Sequence, residues 1–251
     1  MFKTSKLVFS PRVRKTPYFN STIKYGAKSF SVYNHMYMPV SYEGPVEDYK
    51  KLLNGVQLWD VGVERQVQIK GPDAEALSQF LTPRNIKKCS IGQAMYTPLV
   101  DFKGGLLNDP VMLKIDADCF WFSVSDGDLI LWVQAIAAGY KFDVEIDEPD
   151  VSPLQVQGPN STKLMTKVFG DWVSDLGFYK FKEFNHQGIP MIIARMGYSK
   201  ELCYELFLQD QSKGNELWEI LWQAGQDLNI SPGSPNIILR LEGGILSYLA
   251  D

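Results

Sequence analysis

The sequence predicts an α+β fold made of two similar lobes, on three observations. First, VQIKGPDAEALSQFL at 67–81 and LQVQGPNSTKLMTKVF at 154–169 share one pattern: a short alternating strand, then Gly-Pro, Asp or Asn, and apolar residues at helical spacing. Second, each segment runs into a candidate hairpin. Third, strands follow strands without strict βαβ alternation, which argues against a doubly wound sheet.

Gly allows a tight exit from the strand, and Pro, with φ already fixed, opens a helix where no N–H is required. In the first unit Leu77, Phe80 and Leu81 then recur on one face, and in the second Leu164, Met165 and Val168 do. AMYTPLV and LLNDPVMLKI flank the turn Asp101–Gly105, and CFWFSV adds a strand. IPMIIARM and CYELFLQ flank Gly197-Tyr198-Ser199-Lys200. Between the units, Asp128 to Gly139 reads as a helix ended by glycine. After them NELWEILWQAGQDL reads as another, with Leu217, Ile220, Leu221 and Ala224 on one face. Ser234-Pro235-Asn236 opens a last helix, IILRLEGGILSYLAD, whose Ile245, Leu246, Tyr248 and Leu249 still need cover. The expected division is a first lobe with an N-terminal extension, 1–140, and a second lobe, 141–251.

With 251 residues, 45% of them hydrophobic, the chain can bury a sizeable core. Its net charge of −4 offers no field for nucleic acid; a small or cationic ligand fits better. Cys89, Cys119 and Cys203 are odd in number and contain no CxxC pair, so they read as reduced core thiols. Two histidines, His35 and His186, give little material for a metal site or a triad, and no metal is expected. No apolar run is long enough for a membrane span. No GxGxxG or GxxxxGK[ST] motif appears.

Up to Tyr42 there is no acidic residue, against Lys3, Lys6, Arg12, Arg14, Lys15, Lys24 and Lys28. That bias resembles a transit peptide, but Pro11, Pro17 and the aromatic-rich FSVYNHMYMPV spoil any long amphipathic helix. The segment reads as a basic surface packed on the domain, and the expected address is the cytoplasm.

One stretch stands out. In GGLLNDPVMLK, Asn108-Asp109-Pro110 interrupts two apolar strands. This is common turn chemistry, and it also sets a carboxylate where a strand would continue.

NGVQLWDVGVERQVQIKGPDAEAL, GQAMYTPLVDFKGGLLNDPVML, ARMGYSKELCYELF and RLEGGILSY, in this order and spacing, resemble the folate-binding aminomethyltransferase family, the T-protein of glycine cleavage and its relatives. The resemblance runs from about Lys15 to Asp251. KTPYFNS, FSVYNHMYMP, WDVGVERQ and GGLLNDP are similar to the branch that demethylates dimethylsulfoniopropionate. T-proteins lead one to expect Ser-His-Met where this chain has Gly62-Val63-Glu64, and a second carboxylate in place of Asn108. A KGCYxGQE motif, expected of a relative linked to iron–sulfur assembly, is absent.

The resemblance implies a third, C-terminal β-barrel domain that this chain lacks. It also implies tetrahydrofolate as methyl acceptor and a small-molecule sulfonium as donor, with a homodimer possible. The alternatives are aminomethyl transfer of the glycine-cleavage type, or folate binding without turnover. Glu205, in the strand CYELFL, would accept both N–H donors of the pterin amidine edge. Tyr96 would stack on the pterin or donate a hydrogen bond to it. Asp109 matches the carboxylate beside the reactive nitrogens, as catalytic and folate-binding residue. A sulfonium has no donors on sulfur, so aromatic faces should recognise it; Trp172 and then Tyr198 are the candidates. Phe207 stands where the demethylase branch leads one to expect tyrosine, and Leu202-Cys203 where it leads one to expect Gly-Gly. Arg240 reads as helix surface charge. For the substrate carboxylate, Arg65 and Lys103 are guesses.

Overall fold

A computed structural model describes residues 7–248. Before the first repeat lie α1 (Phe19–Lys24), the hairpin β1 (Ser29–Tyr33) and β2 (Met36–Ser41), α2 (Pro45–Asn54) and β3 (Val56–Asp60). The first repeat contains β4 (Gln66–Lys70), α3 (Ala74–Phe80), β5 (Gln93–Tyr96), β6 (Leu99–Val100), β7 (Leu106–Asn108), β8 (Val111–Asp116), β9 (Cys119–Ser123), α4 (Leu129–Tyr140) and β10 (Glu145–Asp147). The second contains β11 (Ser152–Gln157), α5 (Ser161–Phe169), β12 (Phe181–His186), β13 (Ile189–Ala194), β14 (Cys203–Leu208), α6 (Gly214–Ala224) and β15 (Ile230–Gly233). α7 (Ile237–Glu242) follows.

The duplication expected from the sequence is visible in the sheets. One is ordered β10-β4-β9-β8-β5, the other β15-β3-β11-β14-β13-β12. Matching β4 with β11, β9 with β14, β8 with β13, β5 with β12 and β10 with β15 makes them alike, except that β3 is inserted between β15 and β11. β3 runs parallel to β15 and antiparallel to β11. Sheet membership therefore crosses the expected 140/141 boundary both ways. β3, ahead of the first repeat, belongs to the second sheet, and β10, beyond residue 140, belongs to the first.

The repeated Gly-Pro has a shared cause. Gly71 and Gly158 have φ of +137° and +112°, and a Cβ would lie 2.8 Å from Asp143 O or 2.7 Å from Gly55 O. The glycines' own carbonyls accept the first helical N–H, Gly71 O from Ala74 and Gly158 O from Ser161. The Asp or Asn that follows does not cap its helix. Asp73 Oδ2 accepts from Asp143 N at 2.8 Å, and Asn160 Nδ2 donates to Leu228 O at 3.1 Å. Both ties fasten the start of a repeat to the approach of its last strand.

Strand alternation builds four layers. Phe120 and Phe122 of β9 face α3 and α4 with Leu77, Val133 and Ile136. Leu206 and Leu208 of β14 face α5 and α6 with Leu164, Leu217 and Trp218. The opposite faces meet: Leu113 and Trp121 from one sheet pack on Ile192 and Phe207 from the other. All three cysteines are free and buried.

Two helix ends differ from expectation. α4 runs through Gly139 and closes on Lys141, itself left-handed at φ +60°. The last helix stops at Glu242, because Gly243 and Gly244, the latter at φ +64°, turn the chain back. Ile245 to Tyr248 are not helical and line the cavity described next, and Leu246 stays exposed. Leu249, Lys3 and Lys6 lie outside the described residues.

Candidate active site

Where the inner faces of the sheets diverge, a cavity of about 310 Å³ opens. Glu64, Asp109 and Glu205 face it from three different elements, and Tyr33, Tyr96, Tyr179 and Tyr198 surround them. Arg240 is the only cationic side chain lining it among the described residues.

Asp109 stands where the hairpin breaks. Strands β5 and β8 pair, as do β6 and β7, but between them Thr97-Pro98 and Asp109-Pro110 lie opposite, joined by Thr97 N to Pro110 O at 2.8 Å. Each proline lacks an N–H, so neither ladder can continue. Asn108 anchors the break, donating to Ser125 O at 3.1 Å and accepting from Ser125 N at 3.0 Å. Ser125 Oγ then donates a short hydrogen bond to Asp109 Oδ1, and Tyr96 Oη donates to Oδ2 at 3.2 Å. Burial raises the Asp109 carboxyl, against these two bonds and the Tyr248 backbone amide. Burial and Asp109 push the Tyr96 phenol up to about 12.

Glu205 lies on the cavity face of β14, two residues from buried Phe207. A chain of amides fixes one of its oxygens. Ser199 Oγ donates to Gln157 Oε1 at 2.7 Å, Gln157 Nε2 to Gln155 Oε1 at 2.9 Å, and Gln155 Nε2 to Glu205 Oε2 at 3.3 Å. Oε1 is buried with no hydrogen-bond partner. Burial first, and then Glu64, hold this carboxyl well above the usual range.

Glu64 sits where the chain crosses from β3 in one sheet to β4 in the other. Its own N–H donates to Val61 O at 2.8 Å, while Asn34 Nδ2 ties Val63 O and Val124 O together at 3.0 and 3.3 Å. Burial, reinforced by Asp109, raises its carboxyl to about 8.

Thus Tyr96, Asp109, Tyr198 and Glu205 come together as the sequence suggests, but Trp172 does not. It packs beside α5, donating Nε1–H to Phe169 O at 2.8 Å, with its ring 5.2 Å from Phe184 and Lys182 Nζ 4.9 Å from its centre. Its loop looked polar in sequence because Phe184 comes from another strand. Arg65 is engaged by Glu148 and Asp128, and Lys103 is exposed in its turn. Arg240, expected on the surface, is 4% exposed, and its Nη1 donates to Ile245 O at 3.2 Å. Glu64, Ser125 and Gln155 were not singled out from sequence as site residues; the charged Glu64 in an apolar junction was the one available signal.

A cleft between two sheets, with convergent carboxylates and a wall of tyrosines, defines a small-molecule site. A model of the GCVT N-terminal domain matches residues 18–251, and the chain belongs to that family. It is 45% identical over 239 residues to "Dimethylsulfoniopropionate demethylase DmdA" of Ruegeria pomeroyi, covering 95% of this chain and 66% of that protein. It is 30% identical over 241 residues to an aminomethyltransferase of Halothermothrix orenii, covering 94% and 67%. The glycine cleavage system aminomethyltransferase T of Bartonella henselae superposes with a TM-score of 0.81 at 22% identity, over 94% of this chain and 64% of that one, and shares the fold. The chain spans about two thirds of the length of these relatives. Among the described residues no helix is long and apolar enough to cross a membrane, and no group of three or more His, Cys, Asp or Glu side chains is placed to hold a metal ion.

Proposed function

We propose that this chain carries the site at which a methyl group passes from dimethylsulfoniopropionate to tetrahydrofolate, leaving methylthiopropionate. The observation that carries this reading is the charge of the cavity, three carboxylates and one guanidinium within a rim of tyrosines. The similarity to the demethylase of Ruegeria pomeroyi supports it, and so does Asn108, an amide tied to Ser125 where an aminomethyltransferase is expected to carry a second carboxylate.

The residues present fit a reduced pterin. Glu205 Oε1 is a buried acceptor without a donor, and Oε2 has only Gln155. The paired N–H groups of a pterin amidine edge meet that deficit, whereas an unmet buried acceptor costs roughly 1–3 kcal/mol. Tetrahydrofolate, when bound, supplies the nitrogen nucleophile that receives the methyl group.

The donor needs little from the protein beyond placement. Its carbon–sulfur bond breaks with the electron pair going to sulfur, so the leaving group is a neutral sulfide and no general acid is required. Alignment and exclusion of water account for the barrier reduction, and proximity can supply roughly 7–11 kcal/mol. Asp109 Oδ1 is held by Ser125, and Oδ2, which accepts from Tyr96 at 3.2 Å, takes the proton released at the acceptor nitrogen. Tyr198 offers an aromatic face to the sulfonium, a contribution of about 0.5–2 kcal/mol. Incubation with tetrahydrofolate and dimethylsulfoniopropionate should yield methylthiopropionate and 5-methyltetrahydrofolate in equal amounts. Folate binding without either product would overturn the reading.

A further inference from the structure

We infer that Glu64 is the counter-charge for the positive centre of the methyl donor and selects onium donors over neutral ones of the same shape. The inference rests on the methyl-transfer reading above and gives a role to the acid which that reading leaves unused. Three features support it.

First, the other two acids have partners that account for their positions. Asp109 is held by Ser125 and Tyr96, and Glu205 by Gln155. Among the described residues no hydrogen bond or ion pair engages the Glu64 carboxylate, although its own backbone is fixed by Val61 and Gln66 and the preceding Val63 by Asn34. A carboxylate rigidly delivered to a cavity wall and left without a donor suits a ligand that has charge but no N–H or O–H on its charged atom. A sulfonium is such a ligand.

Second, Glu64 lies between the two acids electrostatically. It acts on Glu205, and Asp109 acts on it. Burial and Asp109 favour the protonated form of Glu64; a cation beside it favours the ionised form and pairs with it, whereas a neutral donor does neither. The charged and titratable groups that share its cavity are Asp109, Glu205 and Arg240, with the hydroxyls of Tyr33, Tyr96, Tyr179, Tyr198 and Tyr248. Arg240, which also donates to Ile245 O, brings positive charge to the same cavity.

Third, Tyr33 and Tyr198 line the same cavity as Glu64, and Glu64 acts on both phenols. Aromatic rings beside one carboxylate suit an onium ion, which both attract.

The test compares dimethylsulfoniopropionate with 4-methylpentanoate, in which a neutral CH replaces the sulfonium sulfur. Calorimetry on the unaltered protein should show the sulfonium binding at least about tenfold more tightly, and equal affinities overturn the inference without any variant. Glu64→Gln, which keeps shape and loses charge, should raise KM for the sulfonium about 10- to 100-fold. It should leave affinity for 4-methylpentanoate and for tetrahydrofolate within about threefold. A folded Glu64→Gln protein with unchanged sulfonium KM, or one that loses folate affinity instead, removes the assignment while leaving the methyl-transfer reading intact. Failure of the unaltered protein to bind or demethylate the sulfonium removes the reading and this inference with it.

Discussion

At the scale of single residues, two buried aspartates have opposite uses. Asp109 reaches a cavity and keeps one oxygen loosely engaged. Asp109→Asn retains the shape and the bond from Ser125 but cannot accept a proton. Turnover should fall roughly 10²-fold or more with tetrahydrofolate affinity nearly unchanged, and near-normal turnover in a refolded variant would remove Asp109 from the mechanism. Asp60 serves only the fold. Fully buried, it accepts from Thr16 Oγ1 at 2.6 Å and Gly62 N at 3.1 Å, yet burial still raises its carboxyl to about 7. A raised folded-state value means that the native chain holds this proton more tightly than the unfolded one. The stability it contributes is complete at low pH and is lost as pH climbs from about 4 through about 7. Asp60→Asn removes that dependence, so the variant should gain on the wild type between about pH 5 and about pH 8, by up to about 4 kcal/mol. Urea midpoints across that range give the answer, and parallel curves would refute it.

At the scale of elements, the strand, Gly-Pro and helix units were legible because their determinants are local. Gly158→Ala should cost about 1–3 kcal/mol for the backbone conformation alone, with more added because its Cβ would press on Gly55 O and Leu52 O at 2.7 and 2.9 Å. A thermal midpoint within a degree of wild type would show that the loop simply shifts. The break at Asn108-Asp109-Pro110 was likewise visible, since Pro and a carboxylate inside an apolar run need a reason. What stayed hidden depended on distant partners. Trp172 looked unsupported because Phe184 and the Phe169 carbonyl are supplied by the fold. Arg240 looked superficial because helical spacing cannot register that Gly243 and Gly244 fold the following residues back over it. Glu64 offered only a charge in an apolar junction, since its meaning comes from Asp109 and Glu205, each from another strand system.

At the scale of the whole molecule, the two sheets share one inner core, with Trp121 and Leu113 against Phe207 and Ile192. Neither sheet can lose its partner without exposing that face, so unfolding should be a single transition. Tryptophan fluorescence and far-ultraviolet dichroism should give coincident urea curves; separated midpoints would mean that the lobes melt independently. The strand inserted between β15 and β11 has a further effect. β3, encoded before residue 140, joins the second sheet, while β10, encoded after it, closes the first, so each sheet is completed by a strand from the far side of the 140/141 division. A nick between residues 140 and 141 would therefore not release two autonomous modules. It would yield two fragments that must find each other to regain their shape, and mixing them should restore folate binding that neither has alone.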